Sequence, residues 1–204
     1  MKYRFIVLEG IDGSGKSTLA KNLQKKIGRQ FSCVSISEPT ELNIWGKELR
    51  RILKTKSDID KKLSLKLRRL FKKDRLWDIK NRINPALREK KVVILDRYYF
   101  STAAYQANSR NEVDEILNEY RNDTGILVPD CVLYLRILPE ETLHRVEQRN
   151  SQKEIFEHAG ILKKIHEHYE YIQSKFAAQN NFISIDARMN EKELTEKALL
   201  KLGF

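Results

Sequence analysis

The sequence contains little cysteine, proline and glycine, and it has no long hydrophobic run. Its 204 residues include 2 cysteines, 4 prolines and 8 glycines. Because Cys33 and Cys131 stand far apart and form no Cys-x-x-Cys motif, a disulfide framework and a cysteine-rich zinc site are excluded. No apolar stretch approaches the about 20 residues that span a bilayer, and the first residues lack the long apolar core of a cleavable signal peptide. We therefore expect a cytoplasmic protein, mostly of regular structure, without a membrane partner.

Positive charge is in excess. The 39 lysine and arginine residues outnumber the 28 aspartate and glutamate residues, which gives a net charge of +11 at pH 7. Such an excess suits nucleic acid, a membrane surface or small phosphate compounds as partners, but a solvated basic surface explains it at least as well. The charge becomes informative only where basic residues stand at a position that a phosphate must occupy.

Short apolar runs alternate with helical patterns along the chain. The length predicts one domain over residues 1–204. Strands separated by helical segments imply crossover connections, and hence an α/β fold with a parallel five-stranded sheet flanked by helices. Ligands of such sheets bind at the carboxyl ends of the strands. The predicted strands cover residues 3–9, 32–37, 92–95, 131–137 and 182–185, and the main predicted helices cover 18–27, 43–54, 60–87, 159–178 and 191–202.

A phosphate loop follows the first predicted strand and begins the first predicted helix. Residues 10–17 fit the pattern Gly-x-x-x-x-Gly-Lys-Ser/Thr in full. Glycine lets backbone N–H groups turn around a phosphate, and the helix N-terminus adds its dipole. Lys16 can reach the β- and γ-phosphates of ATP, and the Ser17 hydroxyl can bind Mg²⁺. The residues predicted to bind ATP are Gly10, Ile11, Asp12, Gly13, Ser14, Gly15, Lys16, Ser17 and Thr18.

Charged side chains also follow the third predicted strand and lie on the basic helix. Asp96 and Arg97 come at the end of that strand. Close to a phosphate loop, Asp96 can bind Mg²⁺ and Arg97 can bind a phosphate through two hydrogen bonds. Phe71 and Arg75 are four residues apart and share one helix face, so the pair can stack on a base and hydrogen-bond it. The spacing alone nevertheless favours a Phe71 in the core and a solvated Arg75.

Several segments together resemble those of thymidylate kinases. They are EGIDGSGKST, RRLFKKDR, VILDRYYFSTAAYQ, PDCVLYLRILPEETLHRVEQR and FISIDA. The resemblance runs from about residue 4 to residue 200 with nearly collinear spacing. The phosphate loop is common to many kinases, whereas the combination of the other motifs is fairly specific. The resemblance implies a P-loop kinase with the strand order 2-3-1-4-5 and a mobile lid near residues 145–157, and we expect a homodimer.

The resemblance also implies a reaction and a set of site residues. The family transfers the γ-phosphate of ATP to thymidine monophosphate (dTMP) with Mg²⁺. Phe71 is then expected to stack on thymine, Arg75 to bond its O4 atom and Arg97 to bind the acceptor phosphate. Asp12 is expected near the sugar, and Tyr105 is expected to press on it and exclude a ribose hydroxyl. The other residues implied for this pocket are Ser101, Thr102 and Gln106. We expect small nucleotides, and no nucleic acid, as partners.

The sequence departs from the family pattern at three places. Ser37 stands where many members have an arginine, and Arg50 or Arg51 is a possible substitute. Ile155 stands in the lid where an arginine is expected, although the phosphate loop offers no arginine of its own. Arg136 follows the residues LYL of the fourth predicted strand, where members often have an aspartate. The predicted catalytic residues are therefore Lys16, Asp96, Arg97, Arg145 and Arg149.

Two other functions stay open from the residues alone. A deoxynucleoside kinase needs a carboxylate base for the 5′-hydroxyl of its substrate, and Glu38 could serve in that role. A slow or non-catalytic nucleotide-binding protein would agree with the net charge and with Ile155. Against that second function, the residues implied for the acceptor pocket are all present. Phosphorylation of dTMP to dTDP remains the main prediction.

Overall fold

The structure, a computed structural model, describes residues 3–55, 60–142, 159–176, 178 and 181–204. Its strands are β1 (Phe5–Glu9), β2 (Cys33–Ser37), β3 (Val92–Asp96), β4 (Cys131–Arg136) and β5 (Phe182–Asp186). Its helices are α1 (Lys16–Ile27), α2 (Ile44–Thr55), α3 (Lys61–Asp78), α4 (Asn84–Arg88), α5 (Tyr99–Gln106), α6 (Arg110–Arg121), α7 (Ala159–Phe176) and α8 (Glu191–Leu202). The predicted strands and main helices are all present, and most bounds differ by a few residues.

All five strands are parallel and lie in the order β2-β3-β1-β4-β5. This confirms the predicted sheet. Leu8 of β1 pairs with Asp96 of β3 on one side and with Leu133 of β4 on the other. The carboxyl ends of β1 and β3 therefore lie within one residue of each other while β4 continues two residues further, and the phosphate loop and Asp96 share one edge of the sheet.

The three central strands are buried on both faces because helices cover the sheet from either side. Every residue of β1 and β3 is buried, as are the first five residues of β4. Sequences such as VVIL and CVLYL are nearly uninterrupted apolar runs, which is the pattern that a doubly covered parallel sheet requires. Two of the buried positions are acidic, however: Glu9 and Asp96 each end a strand.

The basic helical stretch continues past Pro85 through a widened turn. A π-helical segment, Ile79–Ile83, joins α3 to α4, and the backbone N–H of Asn84 donates to the carbonyl of Ile79, five residues earlier. Pro85 then occupies the first turn of α4, where its missing N–H is tolerated. Within the part of the chain that the structure describes, no helix combines the length and apolarity that crossing a membrane requires.

Candidate active site

The phosphate loop has a backbone that its glycines make possible. Gly10, Gly13 and Gly15 have φ angles of 149°, 81° and 95°, in the range that side chains rarely adopt. A Cβ atom on Gly10 would lie 2.8 Å from the carbonyl oxygen of Leu135 and 2.8 Å from Ser14 Oγ. Gly15 caps α1 without a side-chain hydrogen bond, and the first turn of α1 has no acidic residue. Its backbone N–H groups and positive dipole end are therefore available to an anion.

Lys16 lies inside the loop, in contact with the loop's own atoms. Its Nζ donates to the carbonyl of Ile11 at 2.8 Å and to Ser14 Oγ at 3.2 Å. Burial lowers the pKa of Lys16 to about 8, and the nearby positive charge of Arg97 acts in the same direction, while Asp96 and Asp12 oppose it. The side chain is thus positioned at the loop, and a polyphosphate would favour its charged form.

Ser17 and Asp96 form a pair of oxygen donors beside the loop. The Ser17 hydroxyl donates to Asp96 Oδ2 at 2.6 Å. The other carboxylate oxygen, Oδ1, is buried and has no hydrogen-bond partner among the described residues. A buried carboxylate oxygen without a partner is costly unless something binds it. Hydroxyl and carboxylate oxygens are hard ligands of the kind that Mg²⁺ takes together with substrate phosphates and water, so the two residues fit this ion.

Arg97 is held in a strained backbone conformation at the end of β3. Its φ angle is 72°, which is uncommon for a residue with a side chain. Its Nη1 donates to the carbonyl of Gly10 at 3.3 Å and to Ser101 Oγ at 3.2 Å, and its Nη2 is paired with Asp12. The guanidinium carbon lies 4.8 Å from the centre of the Tyr105 ring. Arg97 is therefore fixed next to the phosphate loop from several directions.

A pocket opens beside Arg97, with about 510 Å³ of empty space that includes open solvent. The pocket brings together every residue predicted to contact the acceptor nucleotide, from three separate parts of the chain: the phosphate loop, α3, and the segment from the end of β3 through α5. These residues are Asp12, Phe71, Arg75, Arg97, Ser101, Thr102, Tyr105 and Gln106, and Glu38, Pro39, Leu53 and Tyr98 complete the lining.

Arg75 forms the deep wall of this pocket. It is 1% exposed, and its Nε and Nη2 donate to the carboxylate of Glu38, with Nη2 2.5 Å from Oε2. Its guanidinium carbon lies 5.0 Å from the Tyr98 ring centre and 4.9 Å from that of Tyr120. The simple expectation of a solvated Arg75 is therefore wrong. Helical spacing does not show that Glu38, 37 residues earlier, lies opposite that helix face.

Gln106 contributes a buried carboxamide without a partner. The residue is 6% exposed and lines the pocket. Both Oε1 and Nε2 are buried and have no hydrogen-bond partner among the described residues. A carboxamide can donate two hydrogen bonds and accept two, and leaving all of them unmade in the interior is unfavourable. The arrangement indicates a polar ligand with both a donor and an acceptor.

Asp12 links the phosphate loop to the side of the pocket formed by α5. One carboxylate oxygen is paired with Arg97, and the other accepts a hydrogen bond of 2.9 Å from the Tyr105 hydroxyl. The Tyr105 ring is in turn beneath the Arg97 guanidinium. These three side chains form one unit between the loop and the pocket.

Comparison with known proteins assigns the site to a family. A sequence model of the thymidylate kinase family matches residues 8–198. A thymidylate kinase of Leptospira interrogans is 38% identical over 196 residues, which cover 96% of this chain and 91% of that protein. A probable thymidylate kinase of Methanococcus aeolicus is 36% identical over 202 residues, covering 97% of this chain and 94% of that protein. The chain belongs to the thymidylate kinase family.

Membership of the thymidylate kinase family confirms the predicted family, function and enzyme class. The chain is a phosphotransferase of the family that converts dTMP to dTDP, and the kinase family implies the use of ATP and of nucleotide substrates. The described structure agrees with the α/β P-loop kinase fold that was expected. The roles of single residues and the metal remain predictions, which the geometry above can only support.

The lid expected of a thymidylate kinase near 145–157, with Arg145, Arg149 and Ile155, lies outside the described residues. Arg136, just before that region, does have an explanation. Its guanidinium binds the carboxylate of Glu170 on α7 through two nitrogens, and the Tyr134 hydroxyl donates to the same carboxylate. Arg136 therefore anchors α7 to the end of β4.

Sequence reasoning missed Glu9 and a cleft of this thymidylate kinase site, and it considered Glu38 only as a base for a nucleoside and not as the partner of Arg75. Glu9 is fully buried behind Ser101, and Glu38 binds Arg75. Both follow or end apolar strands, and a charged residue in that position is the signal that could have drawn attention to them. A second cleft, of about 790 Å³, borders the phosphate loop. Its lining includes Gly13, Gly15, Thr18, Ala187, Met189 and Asn190.

Proposed function

We propose that this protein binds dTMP in the pocket of about 510 Å³ and phosphorylates it with ATP held by the phosphate loop. The observation that carries this assignment is the carboxamide of Gln106, which has no hydrogen-bond partner among the described residues and lines the same pocket as Arg75. Thymine presents an acceptor at O4 and a donor at N3. Gln106 can both accept and donate, and Arg75 can donate, so the buried wall is complementary to this base. Phe71, in the same lining, supplies an apolar ring against which the base stacks.

The acceptor phosphate binds at Arg97 in this proposal. The guanidinium lies between Gly10 of the phosphate loop and Ser101 of α5, so a phosphate there faces the γ-phosphate of ATP. A planar guanidinium can bind two phosphate oxygens at once. Asp12 and Tyr105 then lie next to the sugar between the base wall and Arg97.

ATP is held by the loop and by the second cleft. The free N–H groups of the loop and of the first turn of α1 surround the phosphates, and Lys16 neutralises the β- and γ-phosphates. The cleft of about 790 Å³ beside Gly13 and Thr18 takes the adenosine. Both pockets border the loop, the acceptor pocket at Asp12 and the cleft at Gly13, Ser14 and Gly15, so in this proposal the donor and acceptor phosphates meet at the loop.

Ser17 and Asp96 are the residues that hold Mg²⁺ in this proposal. The ion supplies charge neutralisation to the phosphate oxygens. The chain itself contributes position and charge: Lys16 at the donor, Arg97 at the acceptor, and Arg145 and Arg149 from the lid. Phosphoryl transfer of this kind needs no covalent intermediate on the protein.

The deoxynucleoside kinase alternative finds little support at Glu38. Both of its carboxylate oxygens accept hydrogen bonds from Arg75, and the residue is buried. A base for a 5′-hydroxyl must be free to take a proton. Burial raises the pKa of Glu38 to about 8 although Arg75 opposes the shift, and the pairing with Arg75 engages both carboxylate oxygens.

A substrate panel tests the proposal. The protein is incubated with ATP, Mg²⁺ and, in turn, dTMP, dUMP, dCMP, thymidine or no acceptor, and ADP formation is measured. We expect turnover with dTMP, much less with dCMP and none with thymidine. Turnover of thymidine instead would establish the nucleoside kinase, and ATP binding without turnover of any acceptor would establish the non-catalytic alternative.

A variant of Gln106 connects the activity to this pocket. Gln106→Leu keeps the size of the side chain but removes its donors and acceptors, so kcat/KM for dTMP should fall at least about 10-fold. Gln30→Leu, at an exposed turn after α1, is the matched control and should leave the rate unchanged. A Gln106→Leu enzyme with the wild-type kcat/KM would show that the base binds elsewhere.

We also infer a homodimer in the cytoplasm. Large apolar side chains are exposed around α2 and α3, with Leu42 63%, Ile44 73% and Leu65 47% exposed, and such side chains favour association. Neither cysteine forms a disulfide within the described residues, which is consistent with a reducing compartment. Light scattering of the purified protein measures the mass, and a monomer at micromolar concentration would contradict the dimer.

A further inference from the structure

Glu9 is a fully buried carboxylate with four hydrogen-bond donors around it. Oε1 accepts from the backbone N–H of Tyr98 at 2.8 Å and from that of Ser101 at 3.3 Å. Oε2 accepts from the Ser101 hydroxyl at 2.6 Å and from the Tyr169 hydroxyl at 2.7 Å. Tyr169 belongs to α7 and the other donors belong to the start of α5. One side chain at the end of β1 therefore joins two helices that are distant in sequence.

A carboxylate can only accept hydrogen bonds, and this restricts the direction of the Ser101 hydroxyl. Its single hydrogen points at Glu9, or at the Tyr169 hydroxyl 2.9 Å away that itself donates to Glu9, and in both cases its lone pairs remain for another donor. Arg97 Nη1 donates to that same oxygen at 3.2 Å. If the hydrogen of Ser101 were turned towards Arg97, two donors would face each other. The charge on Glu9 thus makes the Ser101 oxygen an acceptor for Arg97.

Glu9 also holds the backbone on the far side of Arg97. Arg97 has its φ at 72°, and its own N–H donates to the carbonyl of Leu8 at 3.0 Å. The next N–H, that of Tyr98, donates to Glu9. The strained residue is therefore held between two consecutive residues of β1, and such strain persists only where the surroundings enforce it.

We propose that Glu9 is a positioning residue for the acceptor site: it orients Ser101 and the Arg97 backbone so that the guanidinium faces the acceptor phosphate. The proposal rests on the assignment of that phosphate to Arg97. It adds Tyr169 as a second contributor, because this hydroxyl shares Oε2 with Ser101. Through Tyr169, α7 is connected to the same Glu9 carboxylate.

The surroundings of Glu9 act on its pKa in opposite directions. Burial raises the pKa of Glu9 and is the largest effect, while the bonds from Ser101 and Tyr169 together with the charge of Arg97 oppose that rise without cancelling it. Lys16 also interacts with Glu9 electrostatically, as does Tyr99. Protonation of Glu9 in acid would give it a hydrogen to donate, so that it would no longer act only as a hydrogen-bond acceptor. A glutamine in its place would have the same effect.

Glu9→Gln is the principal test, with both substrates titrated. The variant keeps the shape of the side chain but presents an NH₂ group to one pair of donors. We expect KM for dTMP to rise about 10-fold or more, while KM for ATP stays within about 2-fold. Equal increases in both KM values, or no change in either, would overturn the proposal. Failure of the wild-type enzyme to use dTMP at all would instead refute the proposed function.

A double-mutant cycle separates positioning from a general structural role. If Glu9 acts through Ser101, then Glu9→Gln should raise KM for dTMP much less in a Ser101→Ala background than in the wild type. Multiplicative effects on KM would contradict the mechanism through Ser101. Melting temperatures of all four proteins identify any loss of folding, and only folded variants enter the cycle.

Tyrosine variants of α7 provide a milder version of the test should Glu9→Gln not fold. Tyr169→Phe removes one donor from Glu9 and should raise KM for dTMP about 2- to 5-fold with KM for ATP unchanged. Tyr171→Phe is the matched control, since its hydroxyl bonds Asp114 at 2.8 Å, away from the pocket. Identical KM values for the two variants would contradict the role of the Glu9 cluster.

The pH dependence of KM for dTMP distinguishes a positioning role of Glu9 from a purely structural one. KM for dTMP of the wild type should rise on acidification as Glu9 gains its proton, beyond the rise that the phosphate of dTMP itself causes. The phosphate contributes equally in every variant, so the ratio of KM between Glu9→Gln and wild type isolates Glu9. That ratio should fall towards 1 in acid. A ratio that is constant with pH would overturn the proposal.

Discussion

Lys16 shows at the scale of one residue how burial tunes a phosphate-binding group. Its pKa is lowered to about 8, mainly by desolvation. Anionic phosphates favour the ammonium form, so the pKa must rise when ATP binds. Binding at pH 8 should therefore take up a fraction of a proton, and the affinity for ATP should fall as the pH rises above about 8. Both effects are expected of a lysine that is partly deprotonated before ATP binds.

Calorimetry in two buffers of different ionisation enthalpy measures this proton uptake. At pH 8 the apparent enthalpy of ATP binding should differ between the buffers. Lys16→Arg keeps the charge at every accessible pH and should remove the difference. If the wild-type enthalpy is the same in both buffers, Lys16 is already fully charged and the inferred pKa is wrong.

Tyr105 combines a steric role with a role in holding Arg97. Tyr105→Ala removes the ring that is expected to exclude a ribose hydroxyl, so the ratio of kcat/KM for the deoxy- and ribonucleotide should fall at least several-fold. It also removes the ring 4.8 Å from Arg97, so KM for both acceptors should rise. Tyr105→Phe keeps the ring and should retain the discrimination. An unchanged ratio in Tyr105→Ala would contradict the steric assignment.

These residue-scale properties differ in how far the sequence predicts them. The residue types of the phosphate loop and of the acceptor pocket were predicted, because local motifs carry that chemistry. The ion pair of Arg75 with Glu38 and the burial of Glu9 were not predicted. Their partners are 37 and about 90 residues away, and no periodicity connects positions that only folding brings together.

At the scale of elements, α2 depends on a glycine at its start. Gly46 lies against the loop that precedes α2, and a Cβ atom there would collide with the carbonyl oxygen of Thr40 and would lie 2.7 Å from Asp74 Oδ1. Asp74 also holds that loop by accepting from the Thr40 N–H at 3.0 Å and from Asn43 Nδ2 at 2.7 Å. The loop leads directly into the pocket at Pro39, so close packing here positions the pocket wall.

Gly46→Ala should therefore lower the free energy of unfolding by about 1–3 kcal/mol, the usual range for overpacking. Gly160→Ala is the control, because Gly160 is in α7 and its added Cβ atom would meet nothing within 4 Å. That change should leave stability the same or raise it by up to about 1 kcal/mol through helix propensity. Denaturant midpoints compare the two, and a Gly46→Ala protein as stable as wild type would contradict the packing argument.

The positions of the helices and strands were largely predictable, but the geometry of the connections between them was not. Apolar runs and helical spacing identified the five strands and the main helices to within a few residues at most ends. The π-helical turn at Ile79–Ile83 was not predicted, because it is a response of the backbone to Pro85 and to packing on both sides. The order of the strands came from resemblance to the family and not from the pattern of any strand.

At the scale of the whole molecule, the transfer of a phosphoryl group needs more positive charge than the described residues place at the loop. Among them, Lys16 and Arg97 lie at the loop, and Arg75 lies deeper and is paired with Glu38. The lid is then expected to supply charge in the transition state. Arg149 is our candidate, because Ile155 stands where the family has an arginine.

Arg149→Ala should lower kcat about 100-fold or more and leave KM for ATP nearly unchanged, since the contact forms only in the transition state. Ile155→Arg should leave the rate unchanged or raise it. Arg29→Ala, an exposed position after α1, is the control for loss of one positive charge. A higher KM for ATP with normal kcat would assign Arg149 to ATP binding and leave Arg145 or Lys153 as the catalytic cation.

The sequence by itself determined the chemistry and the fold class of this protein. A phosphate loop between a strand and a helix, and motifs at the ends of later strands, are local patterns whose meaning does not depend on distant residues. The tertiary structure determined the solvation, the pKa values and the hydrogen-bond partners of those groups. Burial lowers the pKa of Lys16, and contacts across the fold pair Arg75 with Glu38 and gather four donors on Glu9, while Gln106 is left without a hydrogen-bond partner among the described residues. Solvation and partners depend on the whole chain, and therefore only the folded molecule shows them.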